Sequence, residues 1–302
     1  MFDLTNPIFG DADAAREHLE KLHWPNGPVC PRCGETDRVK KLAGKSTRPG
    51  VHMCNACRSP FTVTVGTIFE DSKIPLNKWL LGFRLMAGSK KGISAHQLHR
   101  SLGITYKSAW FMAHRIREAM NHPSGPLGGD PERIVEADEA FVGGKPGRRL
   151  SGKVAPKKIV FTLVERGGHA RSFHVANIHA NTLRPILFEN ADRLSTLMTD
   201  EMIGYVKAGQ QFWRHKTVNH SALEYARGRW HTNTAENFFS ILKRGIVGVY
   251  HHVSAAHMHR YCAEFDFRYN TRTIDDTERA DSAVMAARGK RLMYRRPSSL
   301  AA

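Results

Sequence analysis

Apolar positions late in the chain recur at helical spacing. In residues 231–243, HTNTAENFFSILK, Phe239 and Leu242 begin a stripe that Ile246 continues at three- and four-residue steps, enough to dock a helix on a core. Asn233 is a candidate N-cap, and Glu236 stands three residues on, at the capping-box position. Lys243 follows Glu236 by seven residues, two helical turns, so both project from nearly the same side. A catalytic pair and a cap with a solvated lysine both satisfy that pattern. A second amphipathic helix is expected over SAAHMHRYCAEFDFRYNTR, with Tyr261, Phe265 and Tyr269 inward and Cys262 in the core.

Upstream the pattern changes. IVEADEAFV, residues 134–142, reads as a strand followed by the turn glycines Gly143 and Gly144. It carries Glu136 and Asp138 on one face, and interior strands seldom hold carboxylates unless these are paired or bind metal. KIVFTLVER and HARSFHVANI supply two more strands, NTLRPILFENADR a helix, and residues 195–202 a short apolar run ending in Asp200. Thirty-five residues separate Asp200 from Glu236. Glu139 and Glu201 adjoin Asp138 and Asp200 but point to the other side in a strand, so neither is a candidate.

The first part of the chain is different in kind. CPRCG and CNACR place Cys30, Cys33, Cys54 and Cys57 in two Cys-x-x-Cys knuckles 20 residues apart. Reduced thiols at that spacing indicate a structural, tetrahedral zinc, with a disulfide or redox pair as the weaker alternative. Gly34 suits the turn after the first knuckle, and His52 could replace a cysteine. SPFTVTVGTIFED then alternates like ribbon strands. LNKWLLGFRLMAG predicts one amphipathic helix, and SAHQLHRSLGITYKSAWFMAHRIREAM a helix, a turn at Gly103 and a second helix capped by Thr105. In a helix-turn-helix, Tyr106, Lys107 and Ser108 head the recognition helix, with Arg115 and Arg117 further along; an ordinary helical hairpin fits the pattern too.

Charge narrows the partner. Lys and Arg exceed Asp and Glu by 17, which points to a polyanion. A membrane surface would need a long basic amphipathic helix, and none is present. No signal peptide is apparent and no apolar run approaches the ~20 residues that span a bilayer, so the expected setting is cytoplasmic and nucleoid-associated. Between Lys145 and Lys158 stand Lys145, Arg148, Arg149, Lys153, Lys157 and Lys158 with no acid, a basic hairpin loop that could follow a DNA backbone or simply be solvated.

ADEAFVGGK, TDEMIGY and above all HTNTAENFFSILKRGIVGVYHHVSAAHMHRYCAEFDFRYNTR resemble bacterial insertion-sequence transposases of the ISXO-like group. These place a zinc ribbon before an RNase H-like DDE core. The resemblance runs from about residue 10 to about residue 290. It implies an α/β protein: a zinc ribbon with an N-terminal helix over 1–70, a helix-turn-helix domain over 74–120, a linker at 121–132, the RNase H-like catalytic domain over 133–288 and a basic tail at 289–302. It implies a homo-oligomer that binds the terminal inverted repeats of double-stranded DNA and performs Mg²⁺-dependent strand cleavage and strand transfer. Of two Mg²⁺ ions, Asp138 would bridge both, Asp200 bind one and Glu236 the other, while Lys243 holds a phosphate as a point charge. Asparagine can fill the third position in such transposases, and Asn233 and Asn237 lie close by. His251 and His252 could reach DNA or serve as surface residues. The competing reading is a zinc-ribbon, helix-turn-helix regulator with an inactive nuclease-like core; carboxylates at all three positions favour the enzyme.

Overall fold

The computed structural model describes residues 5–121, 125–143, 157–224 and 226–293. The chain forms two compact units, one of residues 1–120 with 274–302 and one of residues 121–273. Among the described residues no helix is long and apolar enough to cross a membrane.

The first unit opens with α1 (Pro7–Gly10) and α2 (Ala12–His23), whose N-terminus is capped by the Asp11 carboxylate on the amides of Asp13 and Ala14. Strands β1 (Val39–Lys41), β2 (His52–Cys54) and β3 (Ser59–Phe61) form an antiparallel sheet in that order. The expected continuation of ribbon strands past Phe61 does not occur. Thr62 and Thr64 instead accept turn hydrogen bonds from the amides of Val65 and Thr67, and Gly66 takes φ 74°. The apolar alternation there serves burial, since Val63, Ile68 and Phe69 still point inward.

Helices α3 (Leu76–Gly88), α4 (Ala95–Leu102) and α5 (Tyr106–Met120) follow as expected. Gly103 closes α4 in the left-handed region at φ 58°, and Thr105 Oγ1 accepts from the Ser108 amide to start α5. The helix Asp276–Met285 also belongs to this unit, whereas the sequence reading ran the catalytic domain on to residue 288. Its acids meet basic partners here. Asp281 lies 3.0 Å from His18 Nε2, Asp276 lies 3.7 Å from the buried Arg84, and Arg279 donates to the Ala87 carbonyl.

The second unit is built on a five-stranded sheet. Its strands are β4 (Ile134–Val142), β5 (Lys158–Glu165), β6 (Ala170–Val175), β7 (Thr196–Thr199) and β8 (Arg214–Thr217), in the order β6-β5-β4-β7-β8. β4, β5 and β6 pair antiparallel; β7 runs parallel to both β4 and β8. The period of two sorts the side chains. Val135, Ala137, Phe161, Leu163 and Leu197 face α6 (Ala180–Asn190) and α7 (Ile203–Gly209). Ala140, Val142, Val160 and Val164 face α8 (Asn233–Gly245) and α9 (Ala255–Asn270). Edge strand β8, RHKT, carries no apolar residue and so gave no strand signal. The short hairpin of β9 (Ala226–Arg227) and β10 (Trp230–His231) leads into α8.

The segment expected as a free linker is partly folded into this unit. Leu127 is buried in the core and bridges Ala191, and the Gly129 amide donates to Ser195 Oγ.

Candidate active site and metal centre

Cys30, Cys33, Cys54 and Cys57 converge with all four sulfurs within 4.8 Å of one another. Cys30 and Cys57 are 3.7 Å apart and Cys33 and Cys54 3.6 Å apart. A tetrahedral ion with metal–sulfur bonds of about 2.3 Å needs sulfur–sulfur edges of about 3.8 Å, so the set fits zinc. The knuckles are shaped for it. Gly34 turns back at φ 77° to donate to the Cys30 carbonyl, and Arg58 takes the matching φ 53° after Cys57. His52 is not part of this set: it stacks on Phe61 and meets Trp24 edge-on in the small ribbon core.

In the second unit the sheet brings two acids level. Residues 134, 135 and 136 of β4 pair with 196, 197 and 198 of β7, and the same offset carried on two residues sets Asp138 beside Asp200. Neighbouring strands lie about 4.8 Å apart, so the two residues stand at one end of the sheet. Asp200 sits one residue past β7, where its Oδ1 accepts from the Met202 amide 3.0 Å away. Glu236 approaches from α8. Burial pushes the Asp138 carboxyl up to about 7, and the charges of Glu139, Asp200 and Glu236 add to it. Burial likewise raises Asp200. Three carboxylates from three elements are the donor set a hard divalent cation takes, and its charge would relieve their repulsion. They are not drawn into one tight cluster as the four thiols are.

The exposed face of α8 bears Glu236, Ser240 and Lys243, while Phe238, Phe239, Leu242 and Ile246 are buried. Asn233 and Asn237 are exposed as well. Asn233 is not the N-cap; it is the first helical residue, and Thr232 before it makes no side-chain cap. The capping acid comes from β4. Glu136 accepts from the Ala235 amide at 2.9 Å and the Thr234 hydroxyl at 2.9 Å. Its side chain is 0% exposed, and Arg166 pairs with it while also donating to the carbonyls of Arg229 and His231. A buried strand acid is therefore explained by an ion pair and a helix terminus.

Two contributors, Tyr205 and His220, escaped the sequence reading, and a third, Glu201, is one that it sets aside. Tyr205 on α7 donates its hydroxyl to Glu139, which faces the opposite side of β4 from Asp138, as expected. Glu201 caps the 3₁₀ turn His220–Ala222, accepting from the amides of His220 and Ser221 and the Ser221 hydroxyl. The Ser221 bonds pull Glu201 down to about 2. His220 Nε2 then stands 3.7 Å from Glu236 Oε1. No period or spacing marks these residues, since each acts across a chain reversal.

In the first unit Tyr106 is 45% exposed and stacks on His96, and Lys107 is exposed. Arg115 and Arg117 are buried, contrary to their expected place along a recognition surface. Arg115 donates to the carbonyls of Ile68 and Glu70. His251 and His252 are exposed beyond a π-helical turn, Ile246–Tyr250, that extends α8. Lys145, Arg148, Arg149 and Lys153 lie outside the described residues.

Two family models match this chain: an ISXO2-like transposase domain over residues 126–270 and a transposase zinc-ribbon domain over residues 10–59. An uncharacterized protein in transposable element ISH50 of Halobacterium salinarum is 28% identical over 246 residues, covering 75% of this chain and 80% of that protein.

Proposed function

From the premise that the chain belongs to the ISXO2-like transposases, we propose that it is the DNA transposase of an insertion sequence, binding terminal inverted repeats and catalysing DNA cleavage and strand transfer. The observation that carries this reading is Asp138 on β4 set level with Asp200 just past the end of β7, with Glu236 on α8 near enough for its charge to act on Asp138. Antiparallel β6, β5 and β4 followed by parallel β7 and β8 support an RNase H-like fold for the second unit.

Asp138, Asp200 and Glu236 would hold two Mg²⁺ ions. When bound, such ions activate a water or 3′-hydroxyl for in-line attack at phosphorus and stabilise the leaving oxygen. Asp138 and Asp200 at the end of the sheet and Glu236 on α8 would supply the carboxylate oxygens. Lys243, two turns along the exposed face from Glu236, supplies a point charge for a backbone phosphate. The four cysteines would hold a structural zinc and leave no open position for chemistry.

Helices α4 and α5 form the end-recognition element, with Tyr106 and Lys107 presented to bases. Lys145, Arg148, Arg149 and Lys153 track the DNA backbone. Synapsis of two transposon ends calls for a homo-oligomer. Incubating the chain with labelled end DNA, a target duplex and Mg²⁺ tests the whole reading: nicked ends and joined products support it, and binding without cleavage under any divalent ion refutes it.

A further inference from the structure

His220 is not one of the three acids, yet more of the fold is spent on fixing it than on fixing Glu236. It lies in the 3₁₀ turn His220–Ala222 beyond β8. Asn219 caps that turn by accepting from the Ala222 amide at 3.0 Å, and Leu223 ends it at φ 59°. Glu201 grips it from below, accepting from the His220 amide at 2.9 Å, the Ser221 amide at 3.0 Å and the Ser221 hydroxyl at 2.6 Å. Asp200 and Glu201 thus divide their work. Asp200 belongs to the three-acid set, and the next residue ties down the turn that bears His220.

The imidazole Nε2 ends 3.7 Å from Glu236 Oε1 and 3.3 Å from Thr232 Oγ1, the residue before α8. Glu236 itself is 48% exposed on a solvated helix face. A glutamate so placed has free rotamers to lose on binding an ion, and a fixed neighbour on one side removes part of that cost beforehand.

We infer that His220, held by Glu201, is a positioning residue that orients the Glu236 carboxylate toward Asp138 and Asp200 for a divalent cation. This rests on the reading of the three acids as a ligand set. A residue that merely completes a turn would affect folding and leave ion affinity alone, so the two roles separate.

The test is Mn²⁺ titration of the zinc-replete full chain by calorimetry, with thermal melting and end-DNA binding measured alongside. His220→Ala should weaken Mn²⁺ binding by roughly 10- to 100-fold, the range for lost outer-shell partners, with end binding unchanged. His220→Gln, which keeps a side-chain donor, should recover most of the loss. Glu201→Gln should give a smaller loss in the same direction and guards against misfolding of the alanine variant. Unchanged Mn²⁺ affinity in His220→Ala, or no recovery in His220→Gln, overturns the inference. Asp138→Asn and Glu236→Gln separate its failure from that of its premise. If these also leave Mn²⁺ affinity unchanged, the ligand set itself is wrong; if they abolish binding while His220→Ala does not, only the role of His220 is.

Discussion

The backbone nitrogen of Ala235 donates to the Glu136 carboxylate across 2.9 Å, fastening the first turn of α8 to β4. Glu136 precedes Asp138 by two residues on the strand, and Ala235 precedes Glu236 by one on the helix. Together with the bond from the Thr234 hydroxyl, this hydrogen bond ties the strand of Asp138 to the helix of Glu236. It also satisfies a helix amide that Thr232 leaves uncapped, with Arg166 balancing the buried charge.

Glu136→Ala should accordingly destabilise the chain by about 3–5 kcal/mol, because it leaves Arg166 without its buried partner. Glu136→Gln should cost less, since an amide oxygen still accepts from Ala235. Urea unfolding followed through the second unit measures both. An alanine variant within about 0.5 kcal/mol of the parent, the range of a bland surface change, would show that the clamp is not what holds α8.

How far the sequence carried is clear from these same residues. β4 begins and ends where its apolar, β-rich ends and the turn glycines after it said, and α8 buries the stripe of Phe239, Leu242 and Ile246, because hydrophobic period reports directly on which face is covered. The partners of a buried acid are not written in any period. Arg166 and Ala235 stand 30 and 99 residues from Glu136, and only the folded sheet brings them together. The cap at Asn233 was a sound local reading that a tertiary contact displaced. Strand β8 stayed hidden because an edge strand of polar residues resembles a loop, and His220 because a turn gives no spacing to read.

The thiol cluster carries its own test. Serine at Cys30, Cys33, Cys54 or Cys57 should each release one zinc and unfold the ribbon, as the ion supplies much of the folding free energy of so small a core. Atomic emission on purified protein, with thiol titration, gives the stoichiometry. A chain that retains its ribbon fold without tightly held metal would end the zinc assignment.

A pH dependence follows from Asp266 on α9. Burial pushes its carboxyl up to about 7, although the Ser172 amide and hydroxyl both donate to it. The folded chain thus prefers the protonated form. The associated stability is fully present below the ordinary aspartate value of 3.8 and is lost as pH rises through about 7. Asp138, Asp200 and Glu139 are shifted in the same direction. Chemical denaturation between pH 4 and pH 8 in the absence of divalent ions should show declining stability of the second unit, and Asp266→Asn should flatten the decline. A slope unaffected by Asp266→Asn would remove this residue from the account.

The basic stretch after β4 is tested through salt. Each phosphate contact contributes roughly 0.9 to the log–log slope of binding against salt. Replacing Arg148, Arg149 and Lys153 with alanine should lower the slope by up to ~3 while sequence preference stays the same, since phosphate contacts position and do not specify. Changes at Tyr106 and Lys107 should act in the opposite sense, relaxing discrimination among end sequences. An unaltered slope in the triple variant would make those cations a solvated surface.

The central claim is that Asp138, Asp200 and Glu236 form one ion-binding catalytic set. The most direct measurement is joining of transposon-end DNA to a target duplex by Asp138→Asn, Asp200→Asn and Glu236→Gln, with Asn233→Ala and Asn237→Ala as companions and end binding measured on every variant. The account predicts that the three acid variants lose cleavage and strand transfer while still binding the ends, and that both asparagine variants stay active. Full activity in Glu236→Gln together with an inactive Asn233→Ala or Asn237→Ala would contradict it.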